Sequence, residues 1–95
     1  KVIKIAPLAI YAVLKEVHGL RRFQVLVYAE NRVEMRIEQM DNCDRLVTFE
    51  QASAHLKNFL ATQGITDVNV ILSDTLPQQH PVSGKFKHVV NMQNI

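Results

Sequence analysis

The segment with the clearest potential for chemistry is residues 76–85, which contains two prolines and ends in Ser83-Gly84-Lys85. Proline restricts the backbone, whereas a glycine next to the lysine admits conformations that other residues avoid. Lysine carries a compact charge on a flexible stem, which suits it to stabilise phosphate and carboxylate oxygens during acyl-phosphate chemistry. Lys85 fits equally well as a solvated lysine in a surface turn before an edge strand, and the residues alone leave both interpretations open.

Other catalytic or metal-binding patterns do not match this sequence. A phosphate-binding P-loop would need glycine at position 79 and serine or threonine at position 86, which are Gln79 and Phe86. Ser53 and Ser73 lack the flanking glycines of a nucleophile elbow. The four histidines do not follow a ligand spacing and only one cysteine is present, so no metal site is expected.

The bulk composition is that of one small globular domain. The chain has 95 residues, of which 47% are hydrophobic and 21% charged. Its net charge of +2 comes from dispersed residues, so neither nucleic acid nor a membrane surface is expected as a partner. No apolar run reaches the ~20 residues that span a bilayer. Cys43 is the only cysteine, which is typical of a reducing compartment and predicts a cytoplasmic protein.

Hydrophobic periodicity predicts an α+β domain with the order βαββαβ followed by an additional C-terminal strand. Strict alternation marks residues 32–38 as a strand with one solvated face, and Pro7 is well placed to begin a helix. Thr48 and Gln51 match a capping box at the start of a second helix. The remaining elements are a helix over 7–17 and strands at 2–5, 23–28, 67–72 and 86–92. The simplest packing is ferredoxin-like, a mainly antiparallel sheet with two helices on one face.

Three stretches carry a resemblance to a known family. Residues 7–14 follow the pattern Pro-x-x-Ile-x-x-Val-Leu, Gly19-Leu20 leads into a strand, and Pro81-x-Ser83-Gly84-Lys85 lies near the C-terminus. Together they resemble the C-terminal domain of adenylate-forming ligases, in particular the phenylacetate-CoA ligase and coenzyme F390 synthetase branch. The similarity extends over nearly the whole chain.

The resemblance implies that residues 1–95 are the mobile lid domain of an acid–thiol ligase. Such an enzyme converts a carboxylate and ATP into an acyl-adenylate, which a thiol then attacks. Lys85 would be the catalytic lysine, and Ser83 and Gly84 would form the loop near the nucleotide. ATP, Mg²⁺ and coenzyme A would bind the full-length enzyme, with none expected on this chain alone. The expected partner is an adenylation domain preceding Lys1, without which the lid domain would be inactive.

Departures from the family pattern leave the thiol acceptor open. Ala9 and Tyr11 stand where many relatives have glutamates, and Lys87-His88 replaces an arginine pair. The thiol acceptor is therefore not predicted, and the acid is not predicted because its pocket would lie in the adenylation domain. The alternative function is a stand-alone ligand-sensing or dimerisation module of the same α+β class. An exposed edge strand could pair two copies of such a domain.

Overall fold

A computed structural model of the chain describes residues 6–29 and 31–92. The helices are α1, Pro7–Leu14, and α2, Arg45–Thr62. The strands are β1, Leu20–Val27, β2, Arg32–Gln39, β3, Asn69–Leu72, and β4, Val89–Asn91. The strand predicted at residues 2–5 lies outside the described residues. No helix among the described residues is long and apolar enough to cross a membrane.

The four strands form one mixed sheet in the order β3-β2-β1-β4. Strands β1 and β2 form an antiparallel hairpin in which Val25 pairs with Met35. Strand β3 runs parallel to β2, and β4 runs parallel to β1. The α+β class with two helices is confirmed, but the ferredoxin-like order is not confirmed and the mainly antiparallel sheet is corrected to a mixed one. The physical reason is connectivity, because α2 is a crossover that returns the chain to begin β3 alongside β2.

One face of the sheet packs against both helices. Side chains at alternate positions of β1 and β2 point to this face, which explains the strict alternation of β2. The fully buried residues of the helices complete the same hydrophobic cluster. Its members with no exposed surface are Ile10, Leu14, Val25, Val33, Met35, Ile37, Ala52, Leu56 and Leu60.

Helix α2 begins earlier than the sequence predicts. Asp44 is its N-cap, and the carboxylate of Asp44 accepts a hydrogen bond from the Val47 amide at 2.9 Å. Thr48 therefore lies inside the helix, where it is buried and its hydroxyl donates to the Asp44 carbonyl at 2.8 Å. The predicted capping box at Thr48 is wrong, because an aspartate four residues earlier already satisfies a free amide of the first turn. Helix α1 ends at Leu14, before the predicted residue 17.

Arg45, the first residue of α2, forms hydrogen bonds to the chain near the ends of two strands. The guanidinium of Arg45 donates to the Ile37 carbonyl in β2 and to the Ser73 carbonyl just after β3, each at 2.7 Å. These charge-assisted hydrogen bonds fix the point at which the chain leaves β3. The following residues, 73–88, cross the second face of the sheet and deliver the chain to β4 at the opposite edge. We call residues 73–88 the crossing segment.

Candidate functional site

The crossing segment is packed against the second face of the sheet. On β1, Gln24 and Leu26 point away from the helices, yet they are only 5% and 4% exposed. Pro77 of the crossing segment is also buried. The proline-rich residues are therefore a layer that covers part of the sheet, which fixes where the following turn can lie.

Gln24 is the side chain that holds this layer in place. Its amide nitrogen donates to the carbonyls of Gln78 and Lys87, both at 3.0 Å. Its amide oxygen accepts from the Gln78 backbone amide at 3.1 Å and from Arg36 Nη1 at 3.3 Å. One buried side chain thus binds the crossing segment before and after the turn that contains Lys85.

Residues 80–85 form a closed turn. The His80 amide donates to the Lys85 carbonyl at 2.8 Å, and the Gly84 amide donates to the His80 carbonyl at 2.9 Å. Nδ1 of His80 accepts from the backbone amides of Val82 and Ser83, each at 3.2 Å. Because Nδ1 accepts both bonds, the ring proton of the neutral imidazole must lie on Nε2. His80 therefore organises the turn from within.

The three site residues predicted from the sequence lie together on this turn. Gly84 has φ +72°, a left-handed conformation that favours glycine, and a Cβ added there would meet no atom within 4 Å. The hydroxyl of Ser83 accepts from the Lys85 backbone amide at 3.3 Å. Lys85 is exposed, and within residues 6–29 and 31–92 its ammonium group has no hydrogen bond or ion pair. The turn thus presents the Lys85 cation to solvent.

Replacing His80 with alanine is expected to loosen this turn. The substitution removes the acceptor for the Val82 and Ser83 amides, and hydrogen bonds at exposed positions contribute about 0.5–1.5 kcal/mol each. We expect faster hydrogen exchange at those two amides in an NMR exchange experiment. Asparagine can place its side-chain oxygen close to the position of Nδ1. The His80→Asn variant should therefore retain most of the protection, and equal exchange in both variants would contradict the role assigned to the imidazole.

An aromatic cluster surrounds His88 at the end of the crossing segment. The centroid of its ring lies 4.8 Å from that of Tyr11 and 5.0 Å from those of Phe23 and Phe86. The cluster anchors the chain between the turn and β4 to helix α1 and strand β1. Burial among these rings disfavours the charged imidazolium and lowers the pKa of His88 from its ordinary value of 6.5.

The free energy of unfolding should depend on pH through His88. Because the pKa of His88 is lower in the folded chain, the unfolded chain binds the proton more readily once the pH falls below 6.5. The stability associated with neutral His88 is therefore fully present above pH 6.5 and is lost as the pH falls through the folded-state pKa. Urea unfolding between pH 5 and 8 measures this decline, which the His88→Phe variant should lack. A decline of the same size in that variant would contradict the assignment.

The sequence did not single out Gln24, Arg36 or His80 as parts of the site. A signal for Gln24 exists in hindsight, since it is a polar residue inside the otherwise apolar strand Phe23-Gln24-Val25. No comparable signal marks His80, whose role depends on the closed turn. Among residues 6–29 and 31–92, no group of three or more His, Cys, Asp or Glu side chains could hold a metal ion.

Comparison with known proteins gave no relative from which a function could be transferred. No family model matches the chain, and neither the curated proteins nor the solved structures contain a significant match to it.

Proposed function

We propose that this chain is the lid domain of an ATP-dependent acid–thiol ligase and that Lys85 acts during formation of the acyl-adenylate. The observation that carries the proposal is the ammonium of Lys85, which has no ion pair among the described residues and lies on an exposed turn whose base is bound by the buried side chain of Gln24. A cation at such a position can move into the active site of a second domain without first breaking an ion pair. Its charge is then available to the phosphate and carboxylate oxygens as negative charge develops on them.

The chemistry of the proposal requires two positions of the lid. A lysine is useful only while the phosphate group reacts, and it must then withdraw so that the thiol can approach. In the proposal, ATP, Mg²⁺ and the acid bind an adenylation domain joined to this chain, and coenzyme A or another acceptor enters in the second step. The sheet and helices of the chain serve to carry the turn of residues 80–85 as a rigid unit.

The proposal is tested on the protein that contains this chain together with its adenylation domain. The coding sequence upstream of the Lys1 codon should encode that domain, and the protein should catalyse ATP–pyrophosphate exchange that depends on a carboxylic acid. A panel of aryl and alkyl carboxylates covers the unknown substrate. An upstream sequence without an adenylation domain would overturn the proposal and leave the alternative, a stand-alone sensing or dimerisation module.

A further inference from the structure

A groove lies between the second face of the sheet and the crossing segment. Its volume is about 380 Å³, which is within the range of small-molecule sites. Its lining includes the apolar side chains of Leu26, Val90 and Met92, which we call the apolar wall; Leu26 and Val90 are paired on adjacent strands. The lining also includes the basic side chains of Arg36 and Lys87. Lys85, His80 and Gln24 also line the groove.

The guanidinium of Arg36 forms no ion pair in the part of the chain that the structure describes. Among residues 6–29 and 31–92, its buried Nε atom has no hydrogen-bond partner, and Nη1 binds only the neutral amide oxygen of Gln24 at 3.3 Å. The acidic residues on the same face of β2, Glu34 and Glu38, form no ion pair with Arg36 among the described residues. Glu38 pairs instead with Arg22, at 2.7 Å between Nε and Oε1, and Glu34 forms no ion pair among the described residues. A partly buried guanidinium without an anion is costly to maintain.

We propose that the groove binds a phosphate monoester, with the phosphate between Arg36 and Lys87 and the organic group against the apolar wall. The planar guanidinium presents several N–H donors that match a phosphate, and the lysine adds a second charge. A dianionic phosphate compensates the basic side chains better than a single carboxylate does. All groups needed for this site belong to the chain itself, so the proposal does not depend on the ligase function.

The test is an NMR titration of the full 95-residue chain with phenyl phosphate in about 0.15 M salt, where charges far from the site are screened. Phenyl phosphate should shift the Gln24 side-chain amide and the Lys87 backbone amide along a saturable curve. Inorganic phosphate, which lacks the organic group, and benzoate, which carries a single charge, should bind more weakly. Saturable binding of benzoate without binding of phenyl phosphate would overturn the assignment to a phosphate.

Substitutions locate the binding within the groove. Arg36→Gln and Lys87→Gln should each weaken phenyl phosphate binding by about 10- to 100-fold, the scale for losing a hydrogen bond to a charged group. Arg32→Gln is the matched control, because Arg32 lies on the same strand and face, about 13 Å away, and contacts the Tyr28 ring instead. The affinity of the Arg32→Gln variant for phenyl phosphate should change less than about twofold.

Two further results would overturn the proposal. An equal loss in Arg32→Gln would show that phosphate binds by diffuse charge attraction rather than in the groove. If Arg36→Gln fails to fold, as judged by collapsed amide dispersion, Lys87→Gln decides alone, and unchanged affinity in that variant overturns the site. Absence of saturable phenyl phosphate binding would overturn the groove site but not the ligase proposal. Absence of ATP–pyrophosphate exchange would overturn the ligase proposal but not the groove site.

Discussion

Replacing Lys85 with alanine is expected to lower acyl-adenylate formation by on the order of 10²–10³-fold, the scale seen when one electrostatic stabiliser of a transition state is removed. Thiolysis of preformed acyl-adenylate should continue, because in the proposed mechanism the lysine has withdrawn before that step. The two half-reactions are measured separately in the protein that contains the adenylation domain, as pyrophosphate release and as release of AMP after thiol is added.

The structure supplies the controls for this experiment. Lys85 is exposed and outside the hydrophobic core, so its removal should change the free energy of unfolding by no more than about 0.5 kcal/mol. A selective defect would then reflect chemistry rather than unfolding. Lys57→Ala removes the same charge from an exposed position of α2 and should leave both half-reactions intact. An equal loss of both half-reactions in Lys85→Ala would contradict the role proposed for this residue.

The sequence predicted the described elements well where one face of an element is buried. Val33, Met35 and Ile37 alternate because they face the helices, and this regularity made β2 the clearest prediction. The start of α2 was misplaced because Asp44 and Thr48 are both good cap residues by type. Only the three-dimensional position of the Asp44 carboxylate, at 2.9 Å from the Val47 amide, distinguishes them.

The local sequence pattern could not predict whether neighbouring strands run parallel or antiparallel. Residues 67–72 and 86–92 have the same periodicity whether they pair parallel or antiparallel, because alternation reports burial and not the neighbour. Helix α2 carries the chain back, so that β3 runs parallel to β2. The crossing segment instead leads sideways from the end of β3 to the start of β4, because Leu72 pairs with Met35 and Val89 pairs with Val25 in the same row of the sheet. For the same reason, the sequence pattern did not predict that Gln24 is buried. Its burial requires the crossing segment to cover a face that an antiparallel sheet with one solvated face would expose.

Replacing Gln24 with leucine is expected to destabilise the chain by about 2–4 kcal/mol, because it leaves part-buried backbone groups of Gln78 and Lys87 without partners. Leucine has a volume close to that of glutamine, so the loss measures hydrogen bonding rather than a cavity. Arg36 also loses the only hydrogen bond of its guanidinium among the described residues. Urea unfolding gives the change, and for a domain of this size each kcal/mol should lower the melting temperature by about 4–8 °C.

Hydrogen exchange at individual amides distinguishes local release of the crossing segment from destabilisation of the whole chain. Loss of Gln24 should release the crossing segment first, so hydrogen exchange at the Gln78 amide should accelerate more than exchange at Met35, whose side chain is fully buried in the core. Gln51→Leu makes the same chemical change at an exposed position of α2 and should leave both amides protected. Unchanged protection of Gln78 in Gln24→Leu would mean that packing of Pro77 alone holds the segment. In that case the position of Lys85 would not depend on Gln24.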